Sequence, residues 1–582
     1  MLSNRPSGKM GDSFSWMSVL MRAFYEEGVR HVFISPGSRS TPATLAAAAH
    51  PGLIKHVVLD ERSAAFQALG TGKNQGAPAL LICTSGTAAA NYLPALVEAR
   101  HSGAPMVVLT ADRPPFLRNT GSSQTIDQIK LYGDYAVLFH ELGEPVHNPE
   151  DLKRLGLLAR QSVKGSIHKG GAVHLNAPFR KPLEPDEESI RKQSELNRAQ
   201  TDEIEKAART TPALQPRNHL SEKLTETINQ SNRPLLIGGP ELPYSSLANV
   251  FLNLAGKLNS PAICEPGANL PVSGHIVRGA EMFLRSREVR ETLKPDLIVR
   301  FGDEPVGKAV QTALEEYRDV PMLQCLSQNA CHDETISANP RLVLSTDHLE
   351  LGTIDQKSEE WAQTWEEYSE KSDRLKDNLL QKEDRLTDGH VFSHFLTHLP
   401  ASWDLMLSNS FPVRDAALFG RPETGHRHTY VNRGAAGIDG IVSTALGIQK
   451  SSRRPMLCLT GDLAFLHDAN ALYSAQNTLQ PFVIAVVNNG GGTIFRMLPV
   501  YRHKEFYDTY FETPQKVEIR RLAQAGGLDY RLIESKEDLY NQKPDQWKQP
   551  RTTVVEIRTN PDASMDLRRE LWNSFRGIDE SG

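Results

Sequence analysis

The polar and apolar positions fall into three stretches of one recurring pattern. From about Ser15 to Leu183, short apolar runs alternate with segments of helical spacing: HVFISPG, HVVLDE, ALLICTSG, MVVLTADRP and GAVHLNAP. Each run is apolar at consecutive positions rather than alternate ones. This predicts strands buried on both faces, joined by crossover helices into a parallel sheet. A polar, charged segment follows, EPDEESIRKQSELNRAQTDEIEKAARTTPALQPRN, and reads as a linker with some helix. The pattern then resumes with RPLLIGGP, PAICEPG, DLIVRFGD and RLVLSTD. After a charged helical stretch, roughly Lys357 to Arg385, it resumes again with WDLMLSNS, PMLCLTGD, PFVIAVVNN and TTVVEIR. The expected fold is α/β, with three parallel-sheet domains. The expected boundaries are 1–183 for the first domain, 184–215 for a linker, 216–356 for a central domain, 357–386 for a helical linker and 387–582 for the last domain.

Length agrees with several domains, since 582 residues exceed what one core organises. Composition is that of an ordinary globular protein, 39% hydrophobic and 23% charged. Lys plus Arg number 65 against 70 for Asp plus Glu, which argues against a general nucleic-acid binder. The five cysteines form no C-x-x-C pair and read as reduced thiols of a cytoplasmic protein. Cys331-His332 and His426-x-His428 lack partners at ligand spacing. No apolar run reaches the roughly 20 residues that span a bilayer, so no integral membrane contact is expected. The N-terminus lacks the apolar core of a secretory signal.

The chemistry is sought at strand ends, because open parallel sheets bind ligands beyond the carboxyl ends of their strands. PMLCLTGD places Asp462 at the end of one strand, and PFVIAVVNN places Asn489 at the end of another. Phe465, Ala469, Leu472 and Ala475 give the segment between them a helical stripe. A right-handed crossover ends both strands at one edge, so the two side chains should meet. A carboxylate and an amide oxygen are hard ligands suited to Mg²⁺ or Ca²⁺, and a phosphate-bearing ligand would complete the shell. The three glycines that follow allow close backbone approach, with helix N-terminal amides for phosphate. Taken singly, Asp462 reads as a helix cap and Asn489 as a turn residue. The pair favours the metal.

Gly461-Asp462 followed by Asn488-Asn489 resembles the signature of thiamine diphosphate-dependent enzymes, with Leu463 where most carry a second glycine. The resemblance places Asp462, Asn489 and the Gly491 carbonyl on Mg²⁺, or Mn²⁺ in its place, gripping the diphosphate. Gly461, Leu463, Ala464, Gly492, Thr493, Ile494 and Phe495 would line the cofactor; Ile494, Phe495 and Leu498 read as pocket wall or, nearly as well, as a buried helix face. It also implies a glutamate at the pyrimidine ring, supplied by the other catalytic domain. Glu61 in IKHVVLDERSAAFQALG fits, following a strand and opening a helix; alone it would only complement the helix dipole.

Further segments narrow the likeness: SPGSRSTP (35–42), DER (60–62), TSGTAAAN (84–91), TADRPP (110–115), NRGAAGIDG (432–440) and NNGGGTIF (488–495). Together they closely resemble the MenD family of menaquinone-pathway synthases. That resemblance implies decarboxylation of 2-oxoglutarate and transfer of its four-carbon remainder to isochorismate. It names the first domain pyrimidine-binding and the last diphosphate-binding. Both substrates are dicarboxylates, which the planar fork of arginine matches. Arg39, Arg113, Arg414 and Arg433 match the family's substrate arginines, and Ser38, Gln124, Asn409 and Ser410 match its polar positions. Lys308 matches a lysine of the central domain, though Ala309 stands where some relatives carry arginine. Ser85, Gly86 and Thr87 fall on the cofactor side, and Ile438 matches the apolar residue that bends the cofactor. A homodimer or homotetramer with sites at the subunit interface is implied. Two alternatives stay open: another thiamine diphosphate carboligase or decarboxylase, and a thiamine diphosphate-binding protein without turnover. A nucleotide-binding module is weaker, since neither G-x-x-x-x-G-K-[ST] nor G-x-G-x-x-G follows a strand.

Overall fold

The structure is a computed structural model that describes residues 12–208, 220–240, 246–269, 275–326, 341–345, 352–357, 359–420, 428–543 and 546–576. Cys331-His332 and His426 lie outside the described residues. His428 lies within them, its Nδ1 3.6 Å from Asp404 Oδ1.

The apolar runs form three six-stranded, all-parallel sheets among the described residues. The first holds β1 (His31–Ile34), β2 (Ile54–Val57), β3 (Ala79–Cys83), β4 (Met106–Asp112), β5 (Ala136–Glu141) and β6 (Ala172–Pro178). The second holds β7 (Pro234–Gly238), β8 (Ala262–Cys264), β9 (Ile276–Val277), β10 (Leu297–Phe301), β11 (Met322–Leu326) and β12 (Arg341–Ser345). The third holds β13 (Asp404–Leu407), β14 (Thr429–Val431), β15 (Met456–Gly461), β16 (Phe482–Asn488), β17 (Asp529–Ile533) and β18 (Thr552–Arg558).

The spatial order is β2-β1-β3-β4-β6-β5 in the first sheet and β14-β13-β15-β16-β18-β17 in the third. Counted from its own first strand, each sheet therefore has the same topology. The second differs, β12-β11-β10-β7-β8-β9, and reverses direction between β7 and β10. Connections on both sides of a parallel sheet leave a crevice at such a reversal, beyond the strand carboxyl ends. In the first and third sheets it lies beside β1 and β13. There Ser35 N–H donates to Ile82 O, and Ser408 N–H donates to Leu459 O, both at 3.0 Å.

The chain separates into two compact units, one of residues 1–214 with 443–452 and one of 215–442 with 453–582. In the first, the Ser443–Ser452 part of a helix packs on helix Glu61–Gln75 at backbone distance. A Cβ on Gly447 would stand 1.9 Å from Gln67 O, and one on Gly70 2.1 Å from Thr444 O. Only glycine permits this approach, and Thr71 Oγ1 uses it to donate to Gly447 O at 3.0 Å.

Three expectations are corrected. HVVLDE is not a doubly buried strand: β2 is an edge strand, with Val57 72% exposed and Leu59 after it 78% exposed. The segment after Asp462 is not one helix but two short ones, Asp462–His467 and Ala471–Ser474. The break falls at Asp468, which is fully buried with its N–H on Ala464 O. Leu498, grouped with Ile494 and Phe495 as pocket wall or buried helix face, is 50% exposed and follows a 3-10 turn, Thr493–Met497.

Candidate active site

At the carboxyl edge of the third sheet, β15 and β16 run in register to Gly461 and Val487. Asp462 is the first residue of its helix, and its Oδ1 accepts the Leu463 N–H at 2.7 Å. The backbone amides of Gly490 and Gly491 also reach its carboxylate, so the two strand ends do meet. Asp462 is 8% exposed. Burial raises its pKa to about 6, with Asp388 adding to the rise against the lowering by those amides. Asn489 Nδ2 donates to Asp388 Oδ2 at 3.2 Å, which leaves its amide oxygen as the group available to a cation.

Gly491 has φ +130, and a Cβ there would stand 2.2 Å from Glu512 O. No other residue type fits this turn. Its carbonyl accepts Thr493 N–H at 2.8 Å, and Gly492 N–H is taken by Glu512 O at 2.7 Å. Thr493 is buried, while Gly492, Ile494 and Phe495 are half-buried. Ala464 is buried, Gly461 and Leu463 are half-buried, and so is Ile438.

Beside this corner, β13 ends in Ser408, Asn409 and Ser410. Ser410 has φ +73 and opens helix Phe411–Phe419. Asn409, 2% exposed, donates through Nδ2 to Asn432 O at 2.7 Å and Gly437 O at 2.6 Å, and accepts from Arg433 Nη1 at 3.1 Å. It thereby fastens the 432–437 loop to the strand end. Arg414 Nη1 donates to Ser410 O at 2.7 Å. Its pKa is lowered by burial and then by the charge of Arg433. Lys308, first in helix Lys308–Glu316 of the central sheet, is exposed and 3.4 Å from Glu315. Ala309 beside it is buried, with its N–H on the Glu281 carboxylate at 3.1 Å.

The first sheet repeats the arrangement. Arg39, 6% exposed, follows β1; its Nη1 donates to Phe179 O at 2.7 Å, and its N–H to Thr84 Oγ1 at 3.3 Å. Its pKa is lowered by burial and next by Arg113. Arg113 follows β4 and reaches Ser123 O through Nη2 at 3.2 Å. Asp112 beside it is fully buried and paired with Arg118 at 2.8 Å. Ser38 and Thr87 are exposed. Ser85 Oγ donates to the backbone carbonyl of exposed Gln124 at 2.9 Å. Gly86 opens helix Thr87–Ala90, its N–H on Gln128 Oε1 at 3.0 Å. Glu61 is half-buried and opens helix Glu61–Gln75, capped by Asp60. Thus two sheets of one topology each hold a pair of mutually opposed arginines at the carboxyl edge. The two like charges repel, and nearby carboxylates offset part of that repulsion, Asp112 at Arg39 and Asp415 and Glu281 at Arg414.

Residues 15–131 match the model described as thiamine pyrophosphate enzyme, N-terminal TPP binding domain, and residues 415–557 match the corresponding C-terminal TPP binding domain. The 2-succinyl-5-enolpyruvyl-6-hydroxy-3-cyclohexene-1-carboxylate synthase of Geobacillus kaustophilus is 35% identical over 97% of this chain and 98% of its own length. Those of Microcystis aeruginosa (35%, over 89% and 91%) and Haloarcula marismortui (33%, over 96% and 97%) carry the same name. The chain belongs to the 2-succinyl-5-enolpyruvyl-6-hydroxy-3-cyclohexene-1-carboxylate synthase family.

The residues present suit what such a synthase holds. Asp462 carries a buried carboxylate on which neither lysine nor arginine acts among its main influences. With the Asn489 amide oxygen and the Gly491 carbonyl it offers hard oxygens to a divalent cation.

Sequence reasoning missed Asp388, which touches Asn489 and is gripped by Arg568 Nη2 at 2.6 Å and Thr559 Oγ1 at 2.6 Å. Its only local signal is the capped start of helix Asp388–His398, common to many helices. It also missed Gln128, fully buried, which donates to Ala111 O at 3.2 Å and Asn176 Oδ1 at 2.9 Å while holding Gly86.

Proposed function

We propose that the protein decarboxylates 2-oxoglutarate and adds the remaining four-carbon unit to isochorismate. The products are 2-succinyl-5-enolpyruvyl-6-hydroxy-3-cyclohexene-1-carboxylate and CO₂, in cytoplasmic menaquinone biosynthesis. The observation that carries this reading is the match to synthases of that name over nearly the whole of both chains. When bound, thiamine diphosphate supplies the electron sink that lets a 2-keto acid lose CO₂.

The 1–183 domain holds the pyrimidine and the 387–582 domain the diphosphate. Asp462, Asn489 and Gly491 hold Mg²⁺, or Mn²⁺ in its place, on the diphosphate. Asp388 orients the Asn489 amide so that its oxygen faces the metal, in support of which stands the Nδ2 bond between them. Glu61 shares a proton with the pyrimidine ring nitrogen. Ser85, Gly86 and Thr87 lie on the pyrimidine side, and Gly492 to Phe495 on the diphosphate side. Arg39, Arg113, Arg414 and Arg433 take the carboxylates of the two substrates, with Ser38, Gln124, Asn409, Ser410 and Lys308 around them. The mutual repulsion of the like charges in each arginine pair supports this, because a substrate carboxylate beside them reduces it. The active assembly is a homodimer or homotetramer in which Glu61 of one subunit serves the metal site of another.

Substrate choice tests the reading. A distal carboxylate seated on a buried arginine favours 2-oxoglutarate over pyruvate by about 10²-fold or more in kcat/KM. The measurement is steady-state kinetics with both donors, with isochorismate, thiamine diphosphate and Mg²⁺ present and product identified by mass. Equal use of the two donors would sink the assignment and leave a thiamine diphosphate enzyme of another substrate.

A further inference from the structure

The central sheet reverses direction between β7 and β10, where a doubly wound sheet commonly receives an anionic ligand at a helix N-terminus. Here the protein fills that place itself. A Cβ on Gly239, after β7, would stand 1.8 Å from Asp303 O, after β10, so the two strand ends are in contact. The helix that follows β10, Lys308–Glu316, receives the Glu281 carboxylate at its first turn. Glu281 Oε1 accepts the N–H of Ala309 at 3.1 Å and of Val310 at 3.3 Å. A Cβ on Gly307 would lie 2.0 Å from the same oxygen. One residue earlier, Val306 N–H is taken by Glu265 Oε2 at 3.1 Å. Two carboxylates from different segments, 6% and 8% exposed, thus grip one five-residue stretch, Val306 to Val310.

Burying two acids side by side is costly, and the cost is visible. The pKa of Glu265 is raised to about 8 by burial and then by Glu281. That of Glu281 is raised by burial against the opposing pull of Arg285, 3.7 Å away. An arrangement made only to cap a helix needs one exposed serine or aspartate. The stretch they hold carries Lys308, and the charges facing the pair from the third sheet are Arg433 on Glu265 and Arg414 on Glu281.

We propose that Glu281, together with Glu265, is a positioning residue. Their carboxylates lock the Val306–Val310 stretch and thereby set where Lys308 stands relative to Arg414 and Arg433. The proposal rests on the reading of Lys308 as a substrate residue. It also accounts for Ala309: its backbone N–H serves the clamp, and its buried side chain packs in the central core.

A double-mutant cycle on the loaded enzyme tests it, with KM for each substrate and kcat measured for Lys308→Ala, Glu281→Ala and the double variant. If Glu281 acts through Lys308, Glu281→Ala raises the same KM as Lys308→Ala, by about tenfold, with kcat within about twofold. The double variant is then no worse than Lys308→Ala. Glu281→Gln keeps one acceptor oxygen and should recover most of the loss. Should Glu281→Ala fail to fold, Glu281→Gln runs the same cycle, with a smaller rise of about threefold that vanishes in the Lys308→Ala background. Effects that multiply in the double variant overturn the proposal, as does a lowered melting temperature with every KM at the wild-type value. If Lys308→Ala itself leaves both KM values unchanged, the Lys308 reading falls, and the proposal falls with it.

Discussion

Asp462 shows what one residue in a sequence can and cannot reveal. Its place after an apolar run, with Asn489 after the next, was enough to expect the two at one edge. The structure brings Gly490 and Gly491 amides onto the Asp462 carboxylate. The pairing was legible because strand ends and crossover handedness are local rules. Asp388 was not legible, because it reaches Asn489 from a helix far away in sequence, and nothing near Thr387 marks it as more than a helix start. If Asp462 is a metal ligand, Asp462→Ala removes a ligand and almost no packing. Metal-dependent affinity for thiamine diphosphate should then fall by about 10²-fold or more, an ordinary loss for a ligating group. Titration calorimetry with and without Mg²⁺ reads this directly. Unchanged affinity would take Asp462 out of the site.

Among elements, legibility followed burial. Strands covered on both faces, such as β4, β15 and β16, are runs of apolar residues and stand out at once. Edge strands are less legible: β2 and β12 were read from HVVLDE and RLVLSTD, but β5 is half-buried along its whole length, and β9, β14 and β17 are short or mostly exposed. The interior strand β11 escaped for another reason, since the buried Gln324 interrupts its apolar run. The helix–helix contact in the first unit was equally hidden. Gly447 and Gly70 are unremarkable in sequence, yet each meets the opposite backbone within 2.1 Å of where a Cβ would be. Gly447→Ala must therefore push the helices apart and should lower stability by about 2–3 kcal/mol, the upper part of the range for overpacking. Gly256→Ala is the control, because a Cβ there meets nothing within 4 Å. In a helix interior it should be neutral or stabilising by up to about 1 kcal/mol. Thermal unfolding of the two variants beside the wild type decides it. Equal melting temperatures would mean that the close approach carries no strain.

On the scale of the whole molecule, the repeated topology carries the argument. The first and third sheets have the same strand order, and each sets a pair of opposed arginines at its carboxyl edge. In the proposed function each sheet also supplies one half of the cofactor site: Glu61 from the first, Asp462 from the third. If those halves come together between subunits, two differently disabled chains should repair each other. Glu61→Gln and Asp462→Ala homodimers are each expected to be nearly inactive. After mild dissociation and reassociation of an equal mixture, half of the dimers are mixed, and each mixed dimer has one intact site of two. Activity should return to about one quarter of the wild-type value per subunit, the statistical expectation for a two-fold assembly with shared sites. Sedimentation velocity on the same samples verifies that reassociation is complete. If each site were built within one chain, every site in the mixture would carry one defect. Activity would then stay at the level of the separate variants, and the shared-site assembly would be excluded.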